Sequence, residues 1–441
     1  MAEECGTGTS GRFNRRAVKV GEAQRLVLAA ADGLRCGSEL VPLRESGGRR
    51  LAQTLCASSD WPPFARAGLD GYAVRAADTA QASPEMPATL RVVDSVAAGG
   101  IALAAVEAGT AARIMTGAAV PEGADAVVML EQTAEATLPG GAAAVLIKRA
   151  ARPGQNIAPR GEEFRLGAAL AAPGTVVRPG HVALLGTFGY AEVPVQKRPR
   201  VAVFATGSEL LPVAAPLAPG RIRDSNSAMV AAMIEQSGAE PMLCGALPDD
   251  PDAVAAALER VWDDADLIVT TGGVSVGDYD VMSDIIRRVK SGSWTGAGHD
   301  EGRQACRVLF DRVAMRPGSP TSAAMLGDKL LLSLSGNPGA CFVGFELLVR
   351  PALQRMQGVR DALPRAVTAR LAAAVDKPSP HDRYVRTRLI YEADGRIAAD
   401  PLAFSKSSMM ASIAESDGLA VIPSGSLGAK AGELVEVLLI P

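Results

Sequence analysis

From Arg200 to Arg350 the sequence alternates apolar strands with amphipathic helices, and this rhythm restricts the fold more than any other feature. Strands are expected at 200–205, 241–246, 266–270, 308–314 and 329–334, with helices at about 227–237, 252–262, 280–289 and 339–350. Such alternation predicts a doubly wound, mainly parallel α/β sheet, because a parallel strand needs a crossover and the crossover helix covers the sheet. Asn226 is placed to cap the helix "SAMVAAMIEQSG", and Gly238 to close it.

The flanking segments have a different texture. Residues 17–57 contain helix-like patterns, "VGEAQRLVLAAAD" and "RRLAQTLCAS". "DWPPFARAGLDGYAV" marks a boundary or a functional loop through its prolines and glycines. Residues 71–150 read as short strands between Gly/Pro turns, 152–196 as extended connecting structure, and 366–441 again as short strands. At 441 residues the chain should form two to four domains. Residues 1–16 read as a loose tail and 291–304, "SGSWTGAGHDEGRQ", as a mobile loop.

Composition narrows the function. A net charge of −3 with 21% charged residues gives no reason to expect nucleic-acid binding or a basic membrane contact. No apolar run reaches the ~18 residues that span a bilayer, and the six cysteines are scattered without metal-ligand spacing. These features predict a cytoplasmic protein. With only three histidines, chemistry should rest on carboxylates, cationic side chains and backbone.

Ligands of doubly wound sheets bind beyond the carboxyl ends of the strands. Four loops expected there have unusual composition: "ATGSEL" (205–210), "TTGGVSVGDYD" (270–280), "MRPGSP" (315–320) and "LSGNPG" (334–339). The Gly272, Gly273 and Gly277 backbone can approach an anion closely, and Thr271, Ser275 and Ser335 add hydroxyl donors. Asp278, Asp280 and Glu209 could hold a hard cation against phosphates. Arg312 and Arg316 could clamp an oxyanion through paired donors. Any one loop could be a simple tight turn, and Asp280 a helix cap. Four together point to a phosphate-bearing ligand with a divalent metal.

In this order "LDGYAV", "RIMTGAAVPEGADAVVMLEQ", "GQNIAPRGEE", "ATGSEL", "RDSN", "TGGVSVGDYD" and "SGNP" resemble the molybdopterin molybdenumtransferase family, which includes MoeA and the gephyrin E domain. The resemblance runs from about residue 17 to the C-terminus. It implies an elongated domain (17–60 and 152–197), an inserted β domain (61–151), an α/β molybdopterin-binding domain (198–355) and a C-terminal β-barrel (364–441). It also implies insertion of molybdate into adenylylated molybdopterin with release of AMP, assisted by Mg²⁺, in a homodimer. The adenylyltransferase that makes the substrate and the molybdoenzymes that take the product are the partners implied. A similar α/β domain occurs in that adenylyltransferase, so this activity is one rival; a non-catalytic molybdopterin carrier or scaffold is another.

Carried over by position, Asp249 and Asp280 match the metal-associated aspartates, and Glu209 the active-site glutamate. Asp70 and Thr116 match residues contributed across the dimer. Pro338 matches the second proline of a Pro-Gly-Asn-Pro loop, while Arg386 and Ser407 match molybdate-pocket residues. Taken alone, Asp70 could be a turn residue, Thr116 a strand-end hydroxyl and Arg386 a solvated strand position. The chain departs from the family where Arg312, Arg316 and Ser319 replace three lysines, and where Ser335 replaces the first proline of that loop. Ala340, Glu163 and "RAGL" (66–69) are further departures.

Overall fold

The computed structural model describes residues 17–274, 280–296, 305–376, 378–402 and 409–441. Two compact units emerge, one of residues 54–172 and 179–191 and the other formed by the rest of the chain.

The larger unit contains the expected α/β sheet. Its elements are β1 (Arg200–Thr206), α1 (Ser225–Gln236), β2 (Glu240–Leu247), α2 (Pro251–Glu259), β3 (Leu267–Thr271), α3 (Val281–Ser291), β4 (Arg307–Phe310), β5 (Met315–Arg316), β6 (Ser322–Leu326), β7 (Lys329–Leu334), α4 (Pro338–Gly344) and α5 (Arg350–Met356). The strand order is β2-β1-β3-β7-β6-β4. The first four strands are parallel; β6 and β4 add an antiparallel edge. Val201, Val203, Leu267, Val269, Leu330 and Leu332 pack on one side with α1, α4 and α5. Ala202, Phe204, Ile268 and Leu331 pack on the other with α2 and α3. Burial on both faces explains why these strands are apolar without alternation.

Several local expectations change. Strand 308–314 is only β4, and β6 was not anticipated because "SAAML" is rich in helix-favouring residues. Asp224, not Asn226, caps α1: its carboxylate accepts from Ser227 N at 3.0 Å. Gly238 does follow the helix end, in the left-handed region at φ 79°. The pattern "RRLAQTLCAS" is extended, because Arg50 and Leu51 bridge to Val176 and Val195 and Leu55–Cys56 forms a strand. Residues 152–196 include a helix, Pro179–Thr187. Most of the stretch read as a mobile loop, 297–304, lies outside the described residues.

The long C-terminal helix passes from α4 through a π turn, Phe345–Val349, into α5. A π turn leaves carbonyls out of register, and Gln24 Nε2 donates to Leu347 O at 3.1 Å. Buried Arg350 donates to both oxygens of buried Glu346, at 2.6 and 2.7 Å, and to Ser237 Oγ at 2.8 Å.

The chain then forms β8 (Ala366–Leu371), β9 (Asp382–Tyr391), β10 (Ile397–Pro401), β11 (Gly418–Ile422) and β12 (Leu434–Leu439). These close into a five-stranded barrel, β9-β10-β8-β12-β11 and back to β9. Two-residue β5 pairs in parallel with the start of β9, so the "MRPGSP" segment joins the barrel instead of following a strand of the α/β sheet.

The smaller unit is built on a six-stranded sheet in the order 126–129, 71–74, 110–114, 88–96, 143–147, 133–137. Tyr72, Val74, Val145 and Ile147 pack on one face; Ala73, Ala112, Ile114 and Val127 pack on the other.

Candidate functional site

Three of the four loops singled out in the sequence converge at the carboxyl edge of the α/β sheet. After β1, Gly207 adopts φ 131°, and a Cβ there would lie 2.5 Å from the Glu209 carboxylate, which therefore folds back over the glycine. After β3, Gly272 and Gly273 follow one another at φ 89° and 63°. A Cβ on Gly272 would sit 2.5 Å from Thr206 Oγ1, and one on Gly273 would sit 2.9 Å from the same oxygen. Only glycine satisfies both the backbone angles and this approach. After β7, Ser335 is buried and Gly336 lies against Gly272, with an ideal Cβ 3.4 Å from the Gly272 Cα. Asn226 Nδ2, in the first turn of α1, donates to Gly336 O at 2.7 Å and ties that loop to the helix.

The glycine turn is pinned by its own chain. Gly272 N donates to Leu334 O at 2.9 Å, Thr206 Oγ1 to Thr271 O at 3.2 Å, and Ser283 N to Gly273 O at 3.1 Å. The N–H groups of Gly273 and Val274 have no acceptor among the described residues. Consecutive amides after positive-φ residues form a concave donor pair suited to an anion. Ser275, Gly277 and Asp278 lie outside the described residues.

The two matched aspartates flank this edge in sequence. Asp249 is exposed two residues beyond Leu247, which pairs with Thr206. Its neighbour Asp250 is already used, capping α2 through Asp252 N and Ala253 N. Asp280 directly precedes α3, yet its side chain makes no cap bond to that helix, so the simple capping role does not hold. No cluster of three or more His, Cys, Asp or Glu suited to a metal occurs among the described residues. A cation here would need oxygen atoms from its substrate and water, as Mg²⁺ commonly does.

The fourth loop adjoins the helix after "SGNP": a Cβ on Gly318 would lie 3.3 Å from Ala340 O. Arg316 is exposed, and β-pairing sets it opposite Arg383 of β9. Burial, then the charge of Arg316, lowers the pKa of Arg383. Arg312 Nε donates to Ser319 Oγ at 3.1 Å, and Ser319 Oγ donates to Val313 O at 2.9 Å. Pro338 opens α4. Arg386 is not a solvated strand residue: it is 1% exposed, its Nε donates to Ser412 Oγ at 2.9 Å, and burial lowers its pKa. Alternation along β9 places Arg386 with Tyr384 on the face opposite Arg383. Ser407 lies outside the described residues.

Asp70 and Thr116 belong to the smaller unit and are directly paired. Asp70 Oδ1 accepts from Thr116 Oγ1 and Thr116 N, both at 2.7 Å. These two bonds, the hydroxyl's first, hold the exposed carboxyl below the usual carboxylate range. Gly71 is obligatory beside it, since a Cβ would be 2.0 Å from Val128 O. Thr206, Asn226 and Arg383 were missing from the sequence-derived site. All three lie in motifs visible in the sequence, Arg383 in "RYVRT" beside Arg386, but its pairing with Arg316, 67 positions away, is not.

Fold and site thus define a multidomain protein with a doubly wound α/β domain whose strand-end loops converge, a C-terminal barrel and a separate β-rich unit. Comparisons with known proteins specify the class further. Residues 18–189 match the MoeA N-terminal region (domain I and II), 202–355 a probable molybdopterin binding domain, and 368–440 the MoeA C-terminal region (domain IV). A molybdopterin molybdenumtransferase of Bacillus subtilis (strain 168) is 42% identical over 405 residues, covering 91% of this chain and 90% of the relative. One from Staphylococcus aureus (strain COL) is 39% identical, covering 90% of each. The crystal structure of a molybdopterin biosynthesis MoeA protein from Pyrococcus horikoshii OT3 is similar with a TM-score of 0.79 and 31% identity, over 96% of this chain and 100% of that one. The chain belongs to the MoeA family.

Proposed function

We propose that this protein inserts molybdenum from molybdate into adenylylated molybdopterin, releasing AMP with the help of Mg²⁺. It is a transferase of molybdenum cofactor biosynthesis, as relatives named molybdopterin molybdenumtransferase align with nine-tenths of it. The observation that carries the reaction assignment is the tandem-glycine turn. Two amides with no acceptor among the described residues sit where three strand-end loops meet, inside the segment that matches a molybdopterin binding domain.

In this reading the Gly273 and Val274 amides bind phosphate oxygens of the anhydride. Asp249 and Asp280 would hold Mg²⁺, which when bound supplies positive charge to the departing phosphate. Asp249 fits because it enters no hydrogen bond or ion pair among the described residues. Arg312 and Arg316 orient the tetrahedral oxyanion, while Glu209, Ser335 and Pro338 line the ligand edge; Arg386, buried on the opposite face of β9 and bonded to Ser412, is left out of this pocket. We further propose a homodimer in which the Asp70–Thr116 pair of one protomer serves the partner's site. The cytoplasm is the compartment this reading assigns, consistent with free thiols at Cys36, Cys56, Cys244, Cys306 and Cys341.

The test is incubation of purified protein with adenylylated molybdopterin, molybdate and Mg²⁺. Molybdate-dependent AMP release supports the proposal. ATP consumption with free molybdopterin would instead mark an adenylyltransferase, and binding without turnover would mark a carrier.

A further inference from the structure

Thr206 ends β1 and is 5% exposed, so nearly all of its side chain is covered by the protein. Its hydroxyl lies beneath both residues of the tandem-glycine turn. The Thr271–Gly272 peptide is held at both poles: its carbonyl accepts from Thr206 Oγ1 at 3.2 Å, and its N–H donates to Leu334 O at 2.9 Å. Rotation of that peptide would redirect the next two amides, those of Gly273 and Val274. The close contacts reinforce the point, because Thr206 occupies the space into which Cβ atoms at 272 and 273 would project.

We propose that Thr206 is the positioning residue of the phosphate cradle, its hydroxyl setting the peptide orientation that aims the Gly273 and Val274 amides at the ligand. The inference rests on reading those amides as a phosphate site. Valine at 206 keeps the branched shape and removes the hydroxyl; serine keeps the hydroxyl and removes the methyl. Rotating a carbonyl that has lost its donor costs the cradle roughly one hydrogen bond, which corresponds to about a tenfold loss of affinity.

The experiment measures binding of inorganic pyrophosphate with Mg²⁺ by calorimetry, without turnover, for wild type, Thr206→Val and Thr206→Ser. Thermal midpoints and the KM and kcat of AMP release are recorded alongside. Thr206→Val should weaken pyrophosphate binding about tenfold and raise KM similarly, while Thr206→Ser stays within about twofold of wild type. Thr206→Cys, of similar size but a weaker donor, replaces the valine variant if that fails to fold. Wild-type affinity in Thr206→Val, or equal losses in the valine and serine variants, would overturn the positioning role. Wild-type protein that binds no pyrophosphate would overturn the cradle itself. Wild-type protein that binds pyrophosphate but releases no AMP would sink the proposed reaction and leave this inference standing.

Discussion

Replacing Ser319 with lysine sets a charge against two hydrogen bonds. Lysine would restore a cation found elsewhere in the family, and at about 5 Å from a dianion in water-like surroundings that is worth about 1.7 kcal/mol. Ordering the long side chain takes back up to about 2 kcal/mol of this. The serine hydroxyl meanwhile accepts from Arg312 Nε and donates to Val313 O. Losing one charge-assisted and one neutral bond at a half-buried site costs at least about 2 kcal/mol, taking the low end of each range. The losses win by between about 0.3 and about 2.3 kcal/mol, the middle of which is about tenfold in the molybdate needed for half-maximal AMP release. Salt screens only the favourable term, so the defect should persist or deepen from low to high ionic strength. Ser319→Ala should show a similar defect, since it loses the same bonds. The assay is AMP release against molybdate at two salt concentrations. A lysine variant needing less molybdate at low salt, with an advantage that fades as salt rises, would refute the reasoning.

Arg350→Met strands buried Glu346 and should cost about 3–5 kcal/mol in denaturant unfolding, whereas Arg350→Met with Glu346→Leu should recover most of it; equal destabilisation of both would disprove the pairing argument. Thr116→Val removes the main cause of the depressed Asp70 pKa, so carboxyl NMR should show Asp70 titrating at higher pH in the variant. Because the folded pKa is depressed, the stability this pair contributes is present above the unfolded pKa of about 3.9 and is lost as pH falls through the folded value, so acid unfolding of wild type should be steeper there than that of Thr116→Val. Asp280→Asn should greatly slow Mg²⁺-dependent AMP release and leave the thermal midpoint near wild type; normal turnover would remove Asp280 from the metal. Inactive Asp70→Ala and Asp280→Ala proteins should regain activity after subunit exchange, and failure despite proven exchange would place each site within one chain.

The α/β sheet was legible because its strands are buried on both faces and its helices are amphipathic, so period and composition agreed. Where composition and period disagreed, reading failed. "SAAML" is a strand because it hairpins against β7 through Gly327 and Asp328, despite its helix-favouring residues. "RRLAQTLCAS" has a helical pattern, but its backbone hydrogen bonds go to Thr175, Pro194 and other distant residues. Local propensity was overruled by partners that only the fold supplies.

The site shows the same division at finer scale. A Gly-Gly pair after an apolar strand announces a turn, but nothing in the pair says which atoms its backbone must approach. The answer, the hydroxyl and carbonyl of Thr206, comes from the end of a different strand. Charge counting is misled in the same way. Along 312–320 the family's three lysines become two arginines and a serine, which suggests a pocket one cation short. The β5–β9 register supplies Arg383 opposite Arg316, so positive charge at that point is set by two strands and not by one segment. Ser319, read by its absent charge, is better read by its hydroxyl: it holds Arg312 by the Nε, while the guanidinium's terminal nitrogens have no partner among the described residues. Against the lysine pattern that the resemblance implies, this segment presents directed donors in place of flexible ammonium groups.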